Sequence, residues 1–130
     1  NQYEKLLIDS ILKDRNKNQV KDEIVNKIKI RFQKIQGFPT KELRSIIDQG
    51  KKDLKEGIII AYAVHEQKLG IAIGVTKELS KKFSAVELVK IGSSVLGGKG
   101  GGGRNDFAQA GGEKIEKIED SYKEILKKLI

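Results

Sequence analysis

One segment of this chain, residues 97–112, constrains the fold more than any other because half of it is glycine. It holds eight of the fourteen glycines, together with the cations Lys99 and Arg104. Each glycine costs about 0.5–1 kcal/mol more conformational entropy than alanine on folding, and we do not expect packing to explain so dense a run. Backbone N–H groups without neighbouring side chains, flanked by cations, are suited to binding an anion such as phosphate. This glycine segment therefore predicts an anion-binding loop.

The overall charge also favours an acidic partner. The 130 residues carry 26 Lys and Arg against 18 Asp and Glu, a formal net charge of +8. A balance of this kind is typical of proteins that bind nucleic acid or a membrane surface. The length allows one small domain with a hydrophobic core. Composition alone leaves a generic solvated basic surface equally open.

Several functional classes find no support in the sequence. Cysteine is absent and His65 is the single histidine, so neither disulfides nor a zinc site are expected. No apolar run approaches about 18 residues and no signal peptide opens the chain, which predicts a cytoplasmic protein without a membrane span. We predict no catalytic residue and no bound metal. Because the chain begins at Asn1 and has no methionine, we expect it to be a fragment of a longer protein.

The hydrophobic pattern predicts an α+β (α/β-like) fold, in which helices pack on a small central β-sheet. A short amphipathic helix is expected over residues 3–14. Over residues 24–32 the period changes to two, which predicts a strand with one apolar face. Its other face is basic and consists of Lys27, Lys29 and Arg31.

The middle of the chain predicts a helix and two strands. Thr40 is expected to cap an amphipathic helix, and the apolar run over residues 57–64 predicts a central strand covered on both sides. Residues 69–75 predict the next strand. One side of that strand is flat enough for close helix packing, since it is formed by Gly70, Ala72 and Gly74.

The glycine segment follows a predicted helix and precedes a short strand. The sequence Ser-Ala-Val-Glu at residues 84–87 has the form of a capping box, and the helix that it starts is expected to end at Gly97. Residues 107–110 predict a short last strand, and a stripe of apolar residues over 115–129 predicts a terminal helix.

Two familiar phosphate-binding motifs do not fit this segment. A Walker A loop needs Ser or Thr after its lysine, and here Gly100 follows Lys99. Residues 98–103 match the glycine spacing of a dinucleotide-binding fingerprint. That fingerprint, however, follows a strand and opens a helix, whereas this run follows a predicted helix.

The residues around and after the glycines resemble a specific family. Gly97-Gly98-Lys99, the run Gly100 to Gly103, Arg104, Asp106 and Ala108-Gln109-Ala110-Gly111-Gly112 closely resemble the glycine-rich signature of the C-terminal domain of alanyl-tRNA synthetase. The resemblance covers roughly residues 20 to 130. Two positions depart from the family: Asn105, where proline is usual, and Phe107, where methionine is common. Without that proline we expect the chain after Arg104 to be less rigid.

This resemblance implies a function in tRNA binding. The parent enzyme joins alanine to its tRNA with ATP, using Mg and Zn, and a separate domain hydrolyses mischarged product. The C-terminal domain has no cofactor of its own and docks the elbow of the tRNA. In several family members a preceding helical piece forms a homodimer. By resemblance, residues 1–19 are the tail of that piece and residues 20–130 the globular tRNA-binding domain.

The candidate RNA-contacting residues come from the glycine segment and from the basic strand face. Lys99 supplies a point charge, and Arg104 supplies a fork that can bind one phosphate through two hydrogen bonds. Arg104 could instead pair with Asp106, Gln109 could staple the loop, and the basic strand face could be an ordinary solvated edge. The full candidate set is Gly97, Gly98, Lys99, Gly100, Gly101, Gly102, Gly103, Arg104, Gln109, Lys27, Lys29 and Arg31.

Two functions from other classes remain open at this point. A related domain accompanies DHH phosphoesterases and holds a nucleic-acid end beside a metal site. That family pattern has Gly-Gly-His in the loop, and Lys99 stands here in place of the histidine. The other alternative is a dimerisation module that acts through residues 1–14 or the terminal helix.

Overall fold

The computed structural model describes residues 19–37, 43–65, 68–98 and 101–129. Within these ranges it contains a six-stranded β-sheet and three α-helices. The elements in chain order are β1 (Gln19–Val25), β2 (Ile28–Gln36), α1 (Leu43–Leu54), β3 (Ile58–His65), β4 (Lys68–Val75), α2 (Ala85–Val95), β5 (Gly101–Gly103), β6 (Phe107–Gly112) and α3 (Ile118–Leu129). Short 3₁₀ turns at Leu79–Lys81 and Ile115–Lys117 precede α2 and α3.

The sheet is mixed, with strand order β1-β2-β3-β4-β6-β5. Strands β2 and β3 are parallel, and α1 is the crossover helix that connects them. The other neighbouring pairs are antiparallel. Strand β6 lies between β4 and β5, so β5 forms one edge of the sheet and β1 the other. The predicted α+β fold is confirmed.

A hairpin replaces the single strand predicted over residues 24–32. The chain reverses at Asn26 and Lys27, whose φ angles of 51° and 67° are those of a type I′ turn, and Val25 pairs with Ile28 across it. That prediction was wrong because the two turn residues do not interrupt the apolar alternation. Lys27 consequently lies in the turn and not on a strand face beside Lys29.

Each face of the sheet carries its own hydrophobic core. On one face α2 and α3 cover the larger cluster, which includes Phe32, Ile60 and Tyr62. On the opposite face α1 covers a smaller one, which includes Ile59 and Ala61. Strand β3 contributes to both clusters, as expected for a central strand covered on both sides.

Helix α1 packs unusually close to the sheet because glycines lie on both sides of the contact. A Cβ atom at Gly74 on β4 would lie 2.2 Å from Cγ2 of Ile47, and one at Gly50 on α1 would lie 2.7 Å from Cγ1 of Ile59. The flat side predicted for β4 is confirmed by the first of these contacts. The second contact shows that a glycine on the helix also allows α1 to lie close to the sheet.

We predict that Gly74→Ala lowers the free energy of unfolding by about 1–3 kcal/mol, since the new methyl group must displace Ile47 from a packed core. Gly111→Ala is the matched control, because its Cβ would come no nearer than 3.8 Å to the carbonyl oxygen of Leu69. Urea unfolding of both variants measures the difference. Equal stability of the two variants would contradict the close contact.

The helix predicted from residue 84 is present, but its capping box does not form. Ser84 occupies the N-cap position with extended backbone and makes no side-chain bond to the helix. Its hydroxyl instead donates to Oδ1 of Asn105 at 3.0 Å, and the N–H of Ala85 donates to the carbonyl oxygen of Asn105 at 2.9 Å. The helix ends before Gly97, which has the positive φ of 79° that favours glycine.

The terminal helix is confirmed as α3, and its buried hydroxyls are hydrogen-bonded. Tyr62 donates to Oγ of Ser121 at 2.9 Å, while Ser121 donates to the carbonyl oxygen of Gly92 at 3.0 Å. Burial raises the pKa of Tyr62. Tyr122 donates to the carboxylate of Glu23, and burial raises the pKa of Tyr122 as well.

The helix predicted over residues 3–14 and the Thr40 cap lie outside the described residues.

The raised pKa of Tyr62 predicts a loss of stability in alkali. Folding favours the neutral phenol, so this contribution is complete below the ordinary tyrosine pKa of 10.0 and is lost as the pH rises above it. Unfolding free energies between pH 9 and 11, compared with those of Tyr62→Phe, measure the effect. We expect the native chain to lose up to about 1.4 kcal/mol more per pH unit than the variant above pH 10. Parallel pH profiles would contradict this prediction.

Candidate nucleic-acid interface

Part of the glycine segment is a β-strand and not the loop that the sequence predicts. Gly101, Gly102 and Gly103 form β5 and pair antiparallel with residues 108–110 of β6. All three glycines are exposed. Because β5 is the outermost strand in the sheet order, its outer N–H and C=O groups point away from the sheet. Lys99 and Gly100 lie outside the described residues.

Most of the described glycines in the segment are required by close packing. A Cβ atom added to Gly98 would lie 2.1 Å from the carbonyl oxygen of Gly111. One added to Gly101 would lie 2.2 Å from the carbonyl oxygen of Gln109, and one added to Gly103 would lie 2.4 Å from the carbonyl oxygen of Phe107. The expectation that packing does not explain the glycine run is therefore wrong for these positions. They let β5 and the end of α2 lie directly against β6.

Two described glycines of the segment are required neither by close packing nor, as Gly97 is, by a positive φ, and both lie on the same side of the sheet. A Cβ at Gly102 would meet nothing within 4 Å, and one at Gly111 only the carbonyl oxygen of Leu69 at 3.8 Å. Gly102 pairs with Gln109, and Gly111 pairs with Gly70. Since side chains alternate along a strand, all four residues belong to the face on which α1 packs.

These four residues, Gly70, Gly102, Gln109 and Gly111, form a flat patch that we call the glycine shelf. Gly102 and Gly111 are exposed. A shallow cavity of about 620 Å³ opens at this end of β4 and β6, lined by residues that include Lys68 and Gln109. Gly70 is buried and Gln109 is half-buried, so Gly102 and Gly111 are the positions at which the patch offers bare backbone to a partner.

Cationic side chains lie beside the glycine shelf. Arg104 follows β5 directly, and its side chain is 69% exposed while its Nε lies 3.6 Å from Oδ1 of Asp106. The alternative in which Arg104 pairs with Asp106 is thus realised, as a loose ion pair. The guanidinium of Arg44 on α1 lies 5.2 Å from the ring centroid of Phe107, a cation–π contact at the border of the shelf.

The turn after Arg104 is held in place despite the missing proline. The N–H of Arg104 donates to the carbonyl oxygen of Phe107 at 2.6 Å. Asn105 accepts hydrogen bonds from Ser84 and Ala85. The side chain and backbone of Asn105 therefore tie this turn to the start of α2, and the lower rigidity expected without the proline stays a prediction.

The predicted basic strand face lies near the other edge of the sheet, on β2, and is partly neutralised. Arg31 donates to both carboxylate oxygens of Asp22, at 2.8 and 3.1 Å, and to Asp53 at 2.8 Å. The hydrogen bonds to Asp22 hold the pKa of Arg31 above its usual range, and the one from Arg31 lowers the pKa of Asp53. Lys29 is exposed on this strand. RNA contact by Lys27, Lys29 and Arg31 stays a prediction.

The structure thus divides the candidate residues between two places. Gly101, Gly102, Gly103, Arg104 and Gln109 lie together at β5 and β6, and Gly97 and Gly98 follow the end of α2. The strands β3 and β4 separate this group from Lys29 and Arg31. Arg44 and Gly111 stand outside the predicted candidate set, and the structure adds both to the first place. The sequence carried a signal for Gly111, because the alternation of residues 107–112 sets Phe107, Gln109 and Gly111 on one face.

Within the described ranges, no group of three or more His, Cys, Asp or Glu side chains is arranged to hold a metal ion. No helix of the described part is long and apolar enough to cross a membrane.

We predict opposite outcomes for alanine at two adjacent glycines. Gly101→Ala should lower the free energy of unfolding by about 1–3 kcal/mol, because its methyl group meets the backbone of β6. Gly102→Ala should leave stability unchanged or raise it by about 0.4–1 kcal/mol, because it reduces the entropy of the unfolded chain. Thermal unfolding of the two variants tests this, and equal destabilisation would mean that the shelf is not open.

Comparison with protein families identifies the class to which this fold belongs. The model of the DHHA1 domain matches residues 14–130. The chain therefore belongs to the DHHA1 domain family. A solved structure, the C-Ala domain of Aquifex aeolicus alanyl-tRNA synthetase, aligns with a TM-score of 0.77 and 31% identity, and the match covers 82% of this chain and 96% of that one. The chain is thus of the C-Ala type, the C-terminal domain of alanyl-tRNA synthetase.

Sequence relatives agree with this assignment. The alanine–tRNA ligase of Hyphomonas neptunium is 42% identical over 103 residues, which are 79% of this chain and 12% of that enzyme. The alanine–tRNA ligase of Parvibaculum lavamentivorans is 47% identical over 93 residues, 71% of this chain and 10% of that enzyme. The chain therefore spans about a tenth of the length of the relatives that it matches. A DHH-domain protein from a family of ribosomal proteins shares the fold, with a TM-score of 0.57 and 20% identity, and the match covers 96% of this chain and 30% of that one.

Proposed function

We propose that this domain binds the tRNA elbow on behalf of an alanine–tRNA ligase, and that the glycine shelf is its contact surface. The observation that carries the proposal is the openness of Gly102 and Gly111, two exposed glycines that no packing contact requires. An exposed glycine lets a partner approach the backbone closely. The family supplies the kind of partner, since the relatives are named for charging tRNA.

The chemistry of a tRNA elbow suits this surface. Proteins read structured RNA mainly by its shape and by contacts to phosphates and 2′-hydroxyls, with stacking where bases are exposed. The shelf offers a flat area for a base or base pair, and the edge strand β5 offers N–H donors. Arg104 provides a guanidinium that is 69% exposed and can rotate from Asp106 to a phosphate.

In the whole enzyme this domain would hold the tRNA while other parts perform the reactions. Aminoacylation with ATP, together with any Mg and Zn that it requires, would belong to the remaining nine tenths of the protein, and so would editing. Docking the elbow would keep one acceptor end within reach of both reaction centres. We place this enzyme in the cytoplasm. Homodimer formation through a helical segment that includes residues 1–19 belongs to the same proposal.

Binding should distinguish complete tRNA from an acceptor-stem minihelix that lacks the elbow. We expect this domain to bind complete tRNA more tightly at physiological salt, with a dissociation constant in the micromolar range or weaker, since non-specific contact alone gives about 10⁻⁴–10⁻⁶ M. Fluorescence anisotropy at low and physiological salt measures both ligands. If both ligands bind equally and physiological salt abolishes the binding, the domain is only a generic basic surface.

Manganese-dependent release of nucleotides from RNA by this domain would favour the DHH phosphoesterase alternative.

A bulky side chain on the shelf should block the RNA without unfolding the domain. We predict that Gly102→Leu weakens binding of complete tRNA by about 1–3 kcal/mol, the range for losing one stacked base. Gln49→Leu is the matched control, because Gln49 is an exposed, uncharged residue on the flank of α1 that faces Asp53. Unchanged affinity in Gly102→Leu, with an intact melting curve, would remove the shelf from the interface.

A further inference from the structure

A second surface lies where β4 and β5 end, at the Arg104 side of the glycine shelf. A cavity of about 630 Å³ is lined by Lys51, Val75, Lys77, Ser80, Arg104, Asn105 and Asp106. We call this cavity the basic groove. We propose that it binds a backbone phosphate of the RNA whose neighbouring nucleotide lies on the shelf. This inference rests on the proposed function for the identity of the ligand, but the phosphate site can be tested without RNA.

Lys51 is fixed in the groove by the same contact that brings α1 close to the sheet. A Cβ at Gly74 would lie 3.0 Å from Cε of Lys51, so the missing side chain leaves room for the lysine to extend past β4. Its Nζ donates to the carbonyl oxygen of Asp106 at 2.8 Å. That oxygen also accepts the N–H of Val75 at 2.9 Å. One hydrogen bond leaves two ammonium donors for a ligand.

The domain neutralises only part of the positive charge of the groove. Among the described residues, no carboxylate lies within 4.0 Å of the ammonium groups of Lys51 or Lys77. Lys51 is only partly exposed, whereas Lys77 is exposed. Arg104 has one carboxylate neighbour, Asp106 at 3.6 Å. Cations that converge without a matching number of acidic partners favour an anionic ligand.

The groove and the shelf are neighbours along the chain. Arg104 is two residues beyond Gly102, a distance of roughly 6–7 Å at about 3.3 Å per strand residue. The turn that joins them is held by the hydrogen bonds of Arg104, Asn105 and Asp106 described above, so it needs little ordering when the ligand binds. An RNA strand that crosses Gly102 can therefore reach the groove with its next phosphate.

The salt dependence of tRNA binding tests the groove. In the double variant Lys51→Gln/Lys77→Gln we expect the slope of log K against log salt concentration to become shallower by about 1–2, because phosphate contacts are lost. The matched control is Lys123→Gln/Lys128→Gln, which removes the same charge from exposed positions on α3 that make no described ion pair. If the two double variants have the same slope and both melt like the native chain, the groove is not a phosphate site.

Titration with inorganic pyrophosphate separates this inference from the proposed function. We expect the amide NMR signals of residues 77–80 and 104–106 to shift in the native chain and to stay in place in Lys51→Gln/Lys77→Gln. If tRNA does not bind while these shifts occur, the RNA function fails and the phosphate site stands. Shifts that are absent, or that spread evenly over the lysines of the domain, overturn the groove.

Discussion

The contact between α1 and strand β4 at Gly74 is the constraint on which the rest of the structure depends. It brings Ile47 onto the sheet and closes the smaller of the two hydrophobic cores. The same close approach carries Lys51 past β4 to Asp106. Because α1 sits over β3 and β4, the face of β6 and β5 beyond it stays open. A single missing side chain thus shapes both a core and a surface.

Glycine serves two different purposes in the segment after α2. At Gly98, Gly101 and Gly103 it permits backbone to lie against backbone, and any side chain would collide. At Gly102 and Gly111 it leaves an accessible surface that the fold does not demand. The two kinds alternate along β5 because successive residues face opposite sides of the sheet. A composition rich in glycine therefore contains both a packing device and a candidate recognition surface.

Much of the fold could be predicted from periodicity, because the apolar runs of β3 and β4 and the stripes of α1 and α3 are long. The hairpin at Asn26 and Lys27 could not, since a two-residue turn leaves the alternation intact. The ion pairs could not be predicted either, because Arg31 contacts Asp22 and Asp53 only when β1, β2 and α1 pack together.

The candidate site was only partly visible for the same reason. The glycine segment and Arg104 stand out in the sequence, whereas Arg44 and Lys51 reach the same surface through tertiary packing alone. Whether there is space for a side chain at each glycine also depends on the neighbouring strand. The local sequence pattern identified the glycine segment, whereas tertiary contacts determine the role of each residue in it.

The insertion of β6 between β4 and β5 also has a consequence for biosynthesis. Strand β4 ends at Val75, and its second partner begins only at Phe107. At about 5–20 residues per second, a ribosome needs roughly 2–6 s to make the intervening chain. During that interval β4 presents an unpaired edge of largely apolar residues. Pairing of β6 with β4 therefore completes the shelf and also covers an edge at which the nascent domain could pair with another chain.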